Sequence, residues 1–172
     1  MMRIGIVLMA MVSAGLMACT QELQWSAIDG LVATEFPGVE QLSTDSLARL
    51  LDVSVGSARP LLLDVRSEAE YGVSHLAGAL HVDPDDTVLS FLDTLSTTRP
   101  IIAYCSVGVR SSRMVERLTG RGFDRAANLQ GSIFKWANEG REVVRDGVPV
   151  REVHPYDPFW ARMLDESLRS GN

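Results

Sequence analysis

Residues 101–111 read IIAYCSVGVRS. Ile101 to Tyr104 form a continuous, largely apolar run of the kind that is buried on both faces in a parallel sheet. Residues Ser111 to Arg121 follow with apolar side chains at helical spacing, so the chain must turn from a strand into a helix between Cys105 and Arg110. The segment therefore predicts a strand–loop–helix unit with Cys105 at the carboxyl end of the strand.

The six residues from Cys105 to Arg110 predict an anion-binding loop. In so short a turn the backbone N–H groups converge, and the following helix adds the positive end of its dipole. Gly108 relieves steric limits on the curve, and Arg110 brings a fixed charge with planar donors. Because these features favour the thiolate, we expect a lowered pKa and a nucleophilic Cys105. A buried structural thiol is the alternative, but it does not account for the glycine, the arginine and the helix start together.

The flanking sequence predicts an α/β fold. A second apolar run, Leu61 to Val65, follows Pro60 and indicates another buried strand. Further strands are predicted at Ala79–Val82 and Ala126–Leu129, and helices at Ser67–Val73, Val88–Leu95 and Gly131–Glu139. This alternation is typical of a central, mostly parallel sheet flanked by helices on both faces.

Both ends of the chain carry further elements. We predict a helix at Ser26–Glu35, an edge strand at Val39–Leu42 and Ser43 as the N-cap of the next helix. At the other end, we predict a hairpin around Asp146-Gly147 and a terminal helix over Pro158–Leu168. The aromatic residues of this tail are expected to dock on the surface of the domain itself, with a partner-binding or pocket-covering role as the less favoured alternative; they are Tyr156, Phe159 and Trp160.

Residues 4–18, IGIVLMAMVSAGLMA, form an uncharged apolar run behind Arg3. A spanning helix needs roughly 20 apolar residues, whereas this run has the length of a secretory signal's apolar core. It ends in Leu16-Met17-Ala18-Cys19, which resembles the lipobox of bacterial lipoproteins. The resemblance implies removal of residues 1–18 and acylation of Cys19. An ordinary signal peptide or a tethering helix is the alternative.

The lipobox resemblance also implies a location. Thr20 stands where an Asp would imply retention in the inner membrane. We therefore expect a periplasm-facing protein of the cell envelope, attached to the outer membrane through its lipid only. The predicted organisation is a signal peptide at 1–18, a tether and short helix at 19–38, one domain at 39–142 and a C-terminal extension packed on it at 143–172.

Composition excludes two classes of function. The net charge of −6 over 172 residues argues against capture of nucleic acid, which needs a basic face. The three histidines, His75, His81 and His154, are scattered and lack paired cysteines, so no metal site is predicted. If Cys19 carries lipid, Cys105 has no disulfide partner within the chain.

Three groups of residues, in the order of the family, resemble rhodanese domains. The segments LLDVRS at 62–67, Glu70-Tyr71 and HLAGA at 75–79 are similar to the first signature half. Residues 104–111 resemble the active-site loop. The closing segment is matched by Gly122-Phe123, NLQGSI at 128–133 and Trp136. The resemblance extends from about Val39 to Glu142 and implies the rhodanese-like fold.

The resemblance further implies a sulfurtransferase or persulfide carrier. The Cys105 thiolate takes sulfane sulfur from a donor, holds it as a persulfide and passes it to a nucleophilic acceptor. The loop residues would bind the substrate, with the amides of Val107 to Ser111 stabilising anionic sulfur; they are Ser106, Val107, Gly108, Val109, Arg110 and Ser111. The implied substrates are small sulfur-containing anions or persulfides and a thiol acceptor, which can be a protein, and no cofactor is needed. Asp64 and Arg66 match the family's Asp-x-Arg and are interpreted as an ion pair that supports the loop.

Two other functions stay open. One is a non-catalytic binding module, and the other is a phosphatase or arsenate reductase on the same fold. By resemblance, sulfurtransferases have a six-residue loop and dual-specificity phosphatases seven, and Cys105 to Arg110 number six. Family members that use thiosulfate carry extra basic residues near the loop. This chain has Ser106, Val107 and Glu70 in those regions, so thiosulfate is predicted to be a poor donor.

Overall fold

A computed structural model describes residues 22–86 and 89–171. The signal segment 1–18 and the acylation site Cys19 lie outside the described residues and stay predictions. Within the described ranges, no helix is both long and apolar enough to cross a membrane.

A five-stranded parallel sheet forms the centre of the molecule, as predicted. Its strands are β1 (Gln41–Leu42), β2 (Leu61–Asp64), β3 (Leu80–His81), β4 (Ile101–Tyr104) and β5 (Ala126–Leu129), in the spatial order β1-β5-β4-β2-β3. Strand β4 lies in the middle and is buried along its whole length, which explains its continuous apolar sequence. Asp64 pairs in register with Tyr104, so β2 and β4 end side by side immediately before Cys105.

Helices pack against this sheet. They are α1 (22–35), α2 (Thr44–Val53), α3 (Glu68–Val73), α4 (Val109–Thr119) and α5 (Ser132–Asn138). Ser43 caps α2 as predicted, because its hydroxyl accepts the N–H of Ser46. Helix α4 contacts β4 and β5 and buries Met114, Val115 and Leu118. The predicted α/β class is therefore confirmed.

The predicted helix at Val88–Leu95 is wrong as an α-helix. Val88 lies outside the described residues, and Ser90–Thr94 form a five-residue 3₁₀-helix. Leu89, which precedes it, has a left-handed backbone with φ 45°. A right-handed α-helix cannot pass through a residue in this conformation. The helical segment therefore begins only after Leu89 and is limited to a short 3₁₀ turn.

The predicted terminal helix over Pro158–Leu168 is also wrong. Two 3₁₀-helices, Trp160–Met163 and Glu166–Leu168, are separated by an extended Leu164. The side chain of Asn138 donates to the Met163 carbonyl at 2.8 Å and accepts the Asp165 N–H at 3.0 Å. These tertiary hydrogen bonds replace the i to i+4 bonds that an α-helix would make there.

The predicted hairpin is present as β6 (Val143–Arg145) and β7 (Val148–Val150). Its turn residues, Asp146 and Gly147, both have positive φ, as a tight primed turn requires. The hairpin is joined to the domain by two backbone hydrogen bonds between His75 and Val144, at 2.9 and 2.8 Å. The tail then returns along the domain, where Val153 N–H donates to Leu168 O at 2.7 Å.

Candidate active site

Cys105 stands at the carboxyl end of β4, where the sequence predicted it. Its side chain is 1% exposed. The Sγ atom accepts a hydrogen bond from the Gly108 N–H at 3.2 Å and one from the Ser111 hydroxyl at 3.4 Å. Helix α4 begins at Val109, two residues earlier than predicted, so Val109 and Arg110 belong to its first turn. The positive end of the helix therefore lies closer to the sulfur than the sequence suggested.

Gly108 turns the chain between the cysteine and the helix. Its φ is +119°, a conformation that residues with a Cβ rarely adopt. A Cβ at this position would also lie 3.2 Å from the Nδ2 atom of Asn128. Both the backbone conformation and the close approach of β5 therefore require glycine here.

The first turn of α5 is hydrogen-bonded to the backbone of the loop. The Cys105 N–H donates to the Ser132 hydroxyl at 3.1 Å. The N–H groups of Ile133 and Phe134 donate to the carbonyls of Cys105 and Ser106, at 3.2 and 3.1 Å. Ser132 was not predicted as a site residue, although it lies within the 128–133 segment that carries the resemblance. No local pattern marks it, because its role depends on a contact 27 residues away.

Glu70 and Arg110 form a two-point ion pair at the side of the loop. The Arg110 Nη1 and Nη2 atoms lie 2.9 and 2.8 Å from the two carboxylate oxygens. Ser106 joins the pair: its hydroxyl donates to Glu70 at 3.0 Å and accepts from Arg110 at 2.9 Å. Glu70 is also the third residue of α3 and completes a capping box with Ser67. Glu70, which the sequence analysis placed near the loop, therefore lies in contact with it.

The charges of this pair set the protonation of Glu70. Burial raises the pKa of Glu70, but the hydrogen bonds and charge of Arg110, with the N–H and hydroxyl of Ser67, lower it to about 2. Burial lowers the pKa of Arg110, and the bonds to Glu70 and the charge of Cys105 raise it above its ordinary value. Both groups are therefore ionised throughout the physiological range.

The pKa of the Cys105 thiol is lowered, as the sequence predicted. Burial alone raises this pKa, because the charged thiolate is less stable away from water than the neutral thiol. The charge of Arg110, the hydroxyl and N–H of Ser111 and the N–H of Gly108 outweigh burial. The site therefore favours a nucleophilic thiolate.

Asp64 and Arg66 form a fully buried ion pair at the end of β2. The Nη2 and Nε atoms of Arg66 lie 2.6 and 2.8 Å from the two carboxylate oxygens. Arg66 also donates to the Ser74 carbonyl at 2.6 Å, which ties β2 to the end of α3. Burial lowers the pKa of Arg66, but Asp64 raises it overall. Asp64 stands beside Tyr104, so this pair lies next to the strand that delivers Cys105.

A cavity of about 190 Å³ opens beside the cysteine. The predicted loop residues Ser106, Val107, Val109 and Arg110 form one side of it, together with Cys105. Four further residues, which the sequence did not assign to the site, form the rest: Leu31 and Glu35 of α1, and Tyr156 and Trp160 of the tail. Tyr156 and Trp160 thus pack on the domain itself, as favoured, and also cover part of this cavity, the less favoured alternative, whereas Phe159 is exposed. Among the residues that the structure describes, no group of three His, Cys, Asp or Glu side chains could hold a metal ion.

The fold and the loop define an α/β protein with a buried cysteine in a short turn between a strand and a helix. The family model of the rhodanese-like domain matches residues 44–139. Since this is more than half of the chain, the protein belongs to the rhodanese-like domain family.

Known proteins extend this relationship. The "Probable adenylyltransferase/sulfurtransferase MoeZ" of Mycobacterium tuberculosis is 30% identical over 122 residues, which is 70% of this chain and 31% of that protein. A "Sulfurtransferase" of Allochromatium vinosum is 28% identical over 106 residues, 62% of this chain and 95% of that protein. The crystal structure of a rhodanese-like domain protein from Staphylococcus aureus matches with a TM-score of 0.54 and 27% identity, covering 63% of this chain and 99% of that one. The chain thus spans less than a third of the first relative and is homologous to sulfurtransferases through this domain.

Proposed function

We propose that this protein is a sulfurtransferase or persulfide carrier that uses Cys105 as its nucleophile. The observation that carries the proposal is the set of donors around the sulfur: Gly108 N–H at 3.2 Å, Ser111 Oγ at 3.4 Å and the nearby charge of Arg110. Donors fixed before the reaction stabilise an anion at no cost of reorganisation. The homology to sulfurtransferases supports the same reaction.

The chemistry has two steps. The Cys105 thiolate attacks the outer sulfur of a donor R–S–SH; an S–S bond forms to Sγ, the donor's S–S bond breaks, and R–S⁻ leaves with the electron pair. An acceptor thiolate then attacks the outer sulfur of the Cys105 persulfide, and the Cys105 thiolate is restored. No external oxidant or reductant is required, because each step exchanges one sulfur–sulfur bond for another.

Thiosulfate is not the preferred donor in this proposal. The guanidinium of Arg110 is already bound by Glu70 at two points, so its charge is neutralised before a dianion arrives. Ser106 and Val107 add no positive charge, and the chain as a whole carries −6. One charge-assisted hydrogen bond contributes about 1.5–3 kcal/mol, so the absence of one bond costs about tenfold or more in rate.

The proposed location is the cell envelope, with Cys19 as a lipid attachment point facing the periplasm. The proposal rests on the apolar run 4–18 and the residues 16–19 that follow the lipobox pattern. In that compartment a reduced Cys105 has no second domain cysteine with which to pair.

Intact-protein mass spectrometry tests the function. The protein is incubated with an alkyl persulfide or with thiosulfate, and we expect it to gain the mass of one sulfur, which peptide mapping then places on Cys105. Cys105→Ser should abolish the gain with the fold intact, whereas Cys19→Ala should retain it and serves as the matched cysteine control. No sulfur on Cys105 with either donor would contradict the proposal and favour a binding module, and hydrolysis of an aryl phosphate would favour a phosphatase.

A further inference from the structure

Four of the nine residues that line the cavity beside Cys105 lie outside the family-matched segment. The family match covers residues 44–139, whereas Leu31 and Glu35 precede it and Tyr156 and Trp160 follow it. The domain therefore supplies the nucleophile, and the two flanks of this particular chain supply the opposite side of the cavity.

Tyr156 is held in an unusual conformation at the mouth of the cavity. Its φ is 67°, in the left-handed region that bulky residues rarely adopt. Its N–H donates to the Nδ1 atom of His154 at 3.0 Å, which stabilises the turn. Strained residues of this kind persist where surrounding contacts hold them, and they concentrate at functional sites.

The ring of Tyr156 packs on Arg110, the one cationic residue between Cys105 and Arg110. The Arg110 guanidinium carbon lies 4.5 Å from the ring centroid, a stacked cation–π contact. The edge of the same guanidinium is bound by Glu70 and Ser106. Arg110, which lines the cavity, is therefore in contact with the aromatic ring and has its charge balanced by the buried carboxylate of Glu70.

The remaining wall is small and largely apolar. Leu31, Val107, Val109 and Trp160 line it, and the carboxyl group of Glu35 adds negative charge. The cavity volume of about 190 Å³ lies below the range of about 300–1,000 Å³ typical of pockets for drug-sized ligands. It accommodates a short aliphatic group, and its apolar side chains disfavour an inorganic anion.

We propose that Tyr156 and Trp160 are specificity-determining residues that select small alkyl persulfides, with an uncharged or cationic carrier group, over inorganic sulfur anions. Tyr156 shields Arg110 from anions, and Trp160 limits the size of the carrier group. The proposal rests on the sulfurtransferase function proposed above. The reaction is Cys–S⁻ + R–S–SH → Cys–S–SH + R–S⁻, where the new bond joins Sγ to the outer sulfur and the carrier thiolate leaves with the electron pair.

The test compares kcat/KM for three donors: cysteamine persulfide, which is small and cationic; glutathione persulfide, which is larger and anionic; and thiosulfate. The wild-type protein should prefer them in that order. Tyr156→Ala should raise the thiosulfate-to-cysteamine-persulfide ratio by about tenfold, the effect of one charge-assisted hydrogen bond gained by the anion. Tyr156→Phe keeps the stacked ring and should leave the ratio unchanged.

Trp160→Ala should raise the relative kcat/KM for glutathione persulfide. Val148→Ala shortens an exposed apolar side chain of β7 that does not line this cavity, and it should have no such effect. An unchanged thiosulfate ratio in Tyr156→Ala, or an equal change in Tyr156→Phe, would overturn the inference while sulfur transfer itself stands. A wild-type protein that forms no persulfide with any donor would instead overturn the proposed function.

Discussion

The carboxylate of Glu70 and the guanidinium of Arg110 lie 40 residues apart in sequence and meet in a two-point ion pair, with N···O distances of 2.8 and 2.9 Å. Glu70 is buried, and Arg110 also stabilises the Cys105 thiolate. The same cation therefore lowers the pKa of Cys105 while its own charge is balanced by a buried carboxylate. This relationship underlies the first three predictions.

Glu70→Gln should increase the use of thiosulfate. The amide keeps the capping geometry of α3 but removes the charge that neutralises Arg110. We expect kcat/KM for thiosulfate to rise by about tenfold relative to an alkyl persulfide. Glu68→Gln, an exposed change on the same helix, is the matched control and should have no effect. An unchanged or lower thiosulfate preference in Glu70→Gln would contradict the role of Glu70 in neutralising Arg110.

Glu70 should also make the fold sensitive to acid. Its folded-state pKa of about 2 lies below the ordinary value of 4.5, so its stabilisation is complete above pH 4.5 and is lost as the pH falls toward 2. The contribution is about 3 kcal/mol at neutral pH. Urea denaturation at pH 6, 4 and 3 should show a smaller loss of stability in Glu70→Gln than in Glu68→Gln. Parallel curves for the two variants would argue against the ion pair.

Alkylation of Cys105 should report its lowered pKa. The rate of reaction with iodoacetamide, followed on the Cys105 peptide by mass spectrometry, should rise with pH through a midpoint below that of a free cysteine thiol. Arg110→Gln removes the largest stabilising charge and should move the midpoint to higher pH. Arg113→Gln, an exposed change on the same helix, should leave it in place. A midpoint that does not respond to Arg110→Gln would show that hydrogen bonds alone set the pKa.

The Asp64–Arg66 pair should be costly to break on one side. Both side chains are 0% exposed, so Asp64→Asn leaves the Arg66 charge buried without its counter-ion. We expect a loss of about 3–5 kcal/mol in the free energy of unfolding, measured by urea denaturation. The double variant Asp64→Leu/Arg66→Met removes both charges. Its loss in the free energy of unfolding should therefore be smaller than the summed losses of Asp64→Leu and Arg66→Met made singly. Additive losses would indicate that the two residues act independently.

Cys19→Ala should release the protein from membranes into the soluble envelope fraction, because acyl chains provide the proposed attachment. Fractionation followed by detection with an antibody measures the distribution. Cys105→Ser, the other cysteine change, should stay in the membrane fraction. An alanine variant that binds membranes as tightly as the wild type would favour an uncleaved helix.

The elements that sequence predicted well are those whose signal is local. The strands β2 and β4 are continuous apolar runs, and Ser43 and Asp146-Gly147 mark a helix start and a tight turn by their own chemistry. The tail was predicted wrongly because Asn138, far away in the chain, binds Met163 and Asp165 and breaks the expected helix. Its aromatic spacing carries no information about that contact.

The sequence by itself determined that a buried strand delivers Cys105 into a short loop before a helix, because the apolar run, Gly108 and the helix start all lie within eleven residues of chain. Only the tertiary structure decided what surrounds the sulfur. Glu70, Ser132 and Tyr156 reach the loop from other elements through side-chain contacts across the fold. These contacts depend on where the sheet and the tail place the residues in space, and the spacing of the residues along the chain does not record that placement.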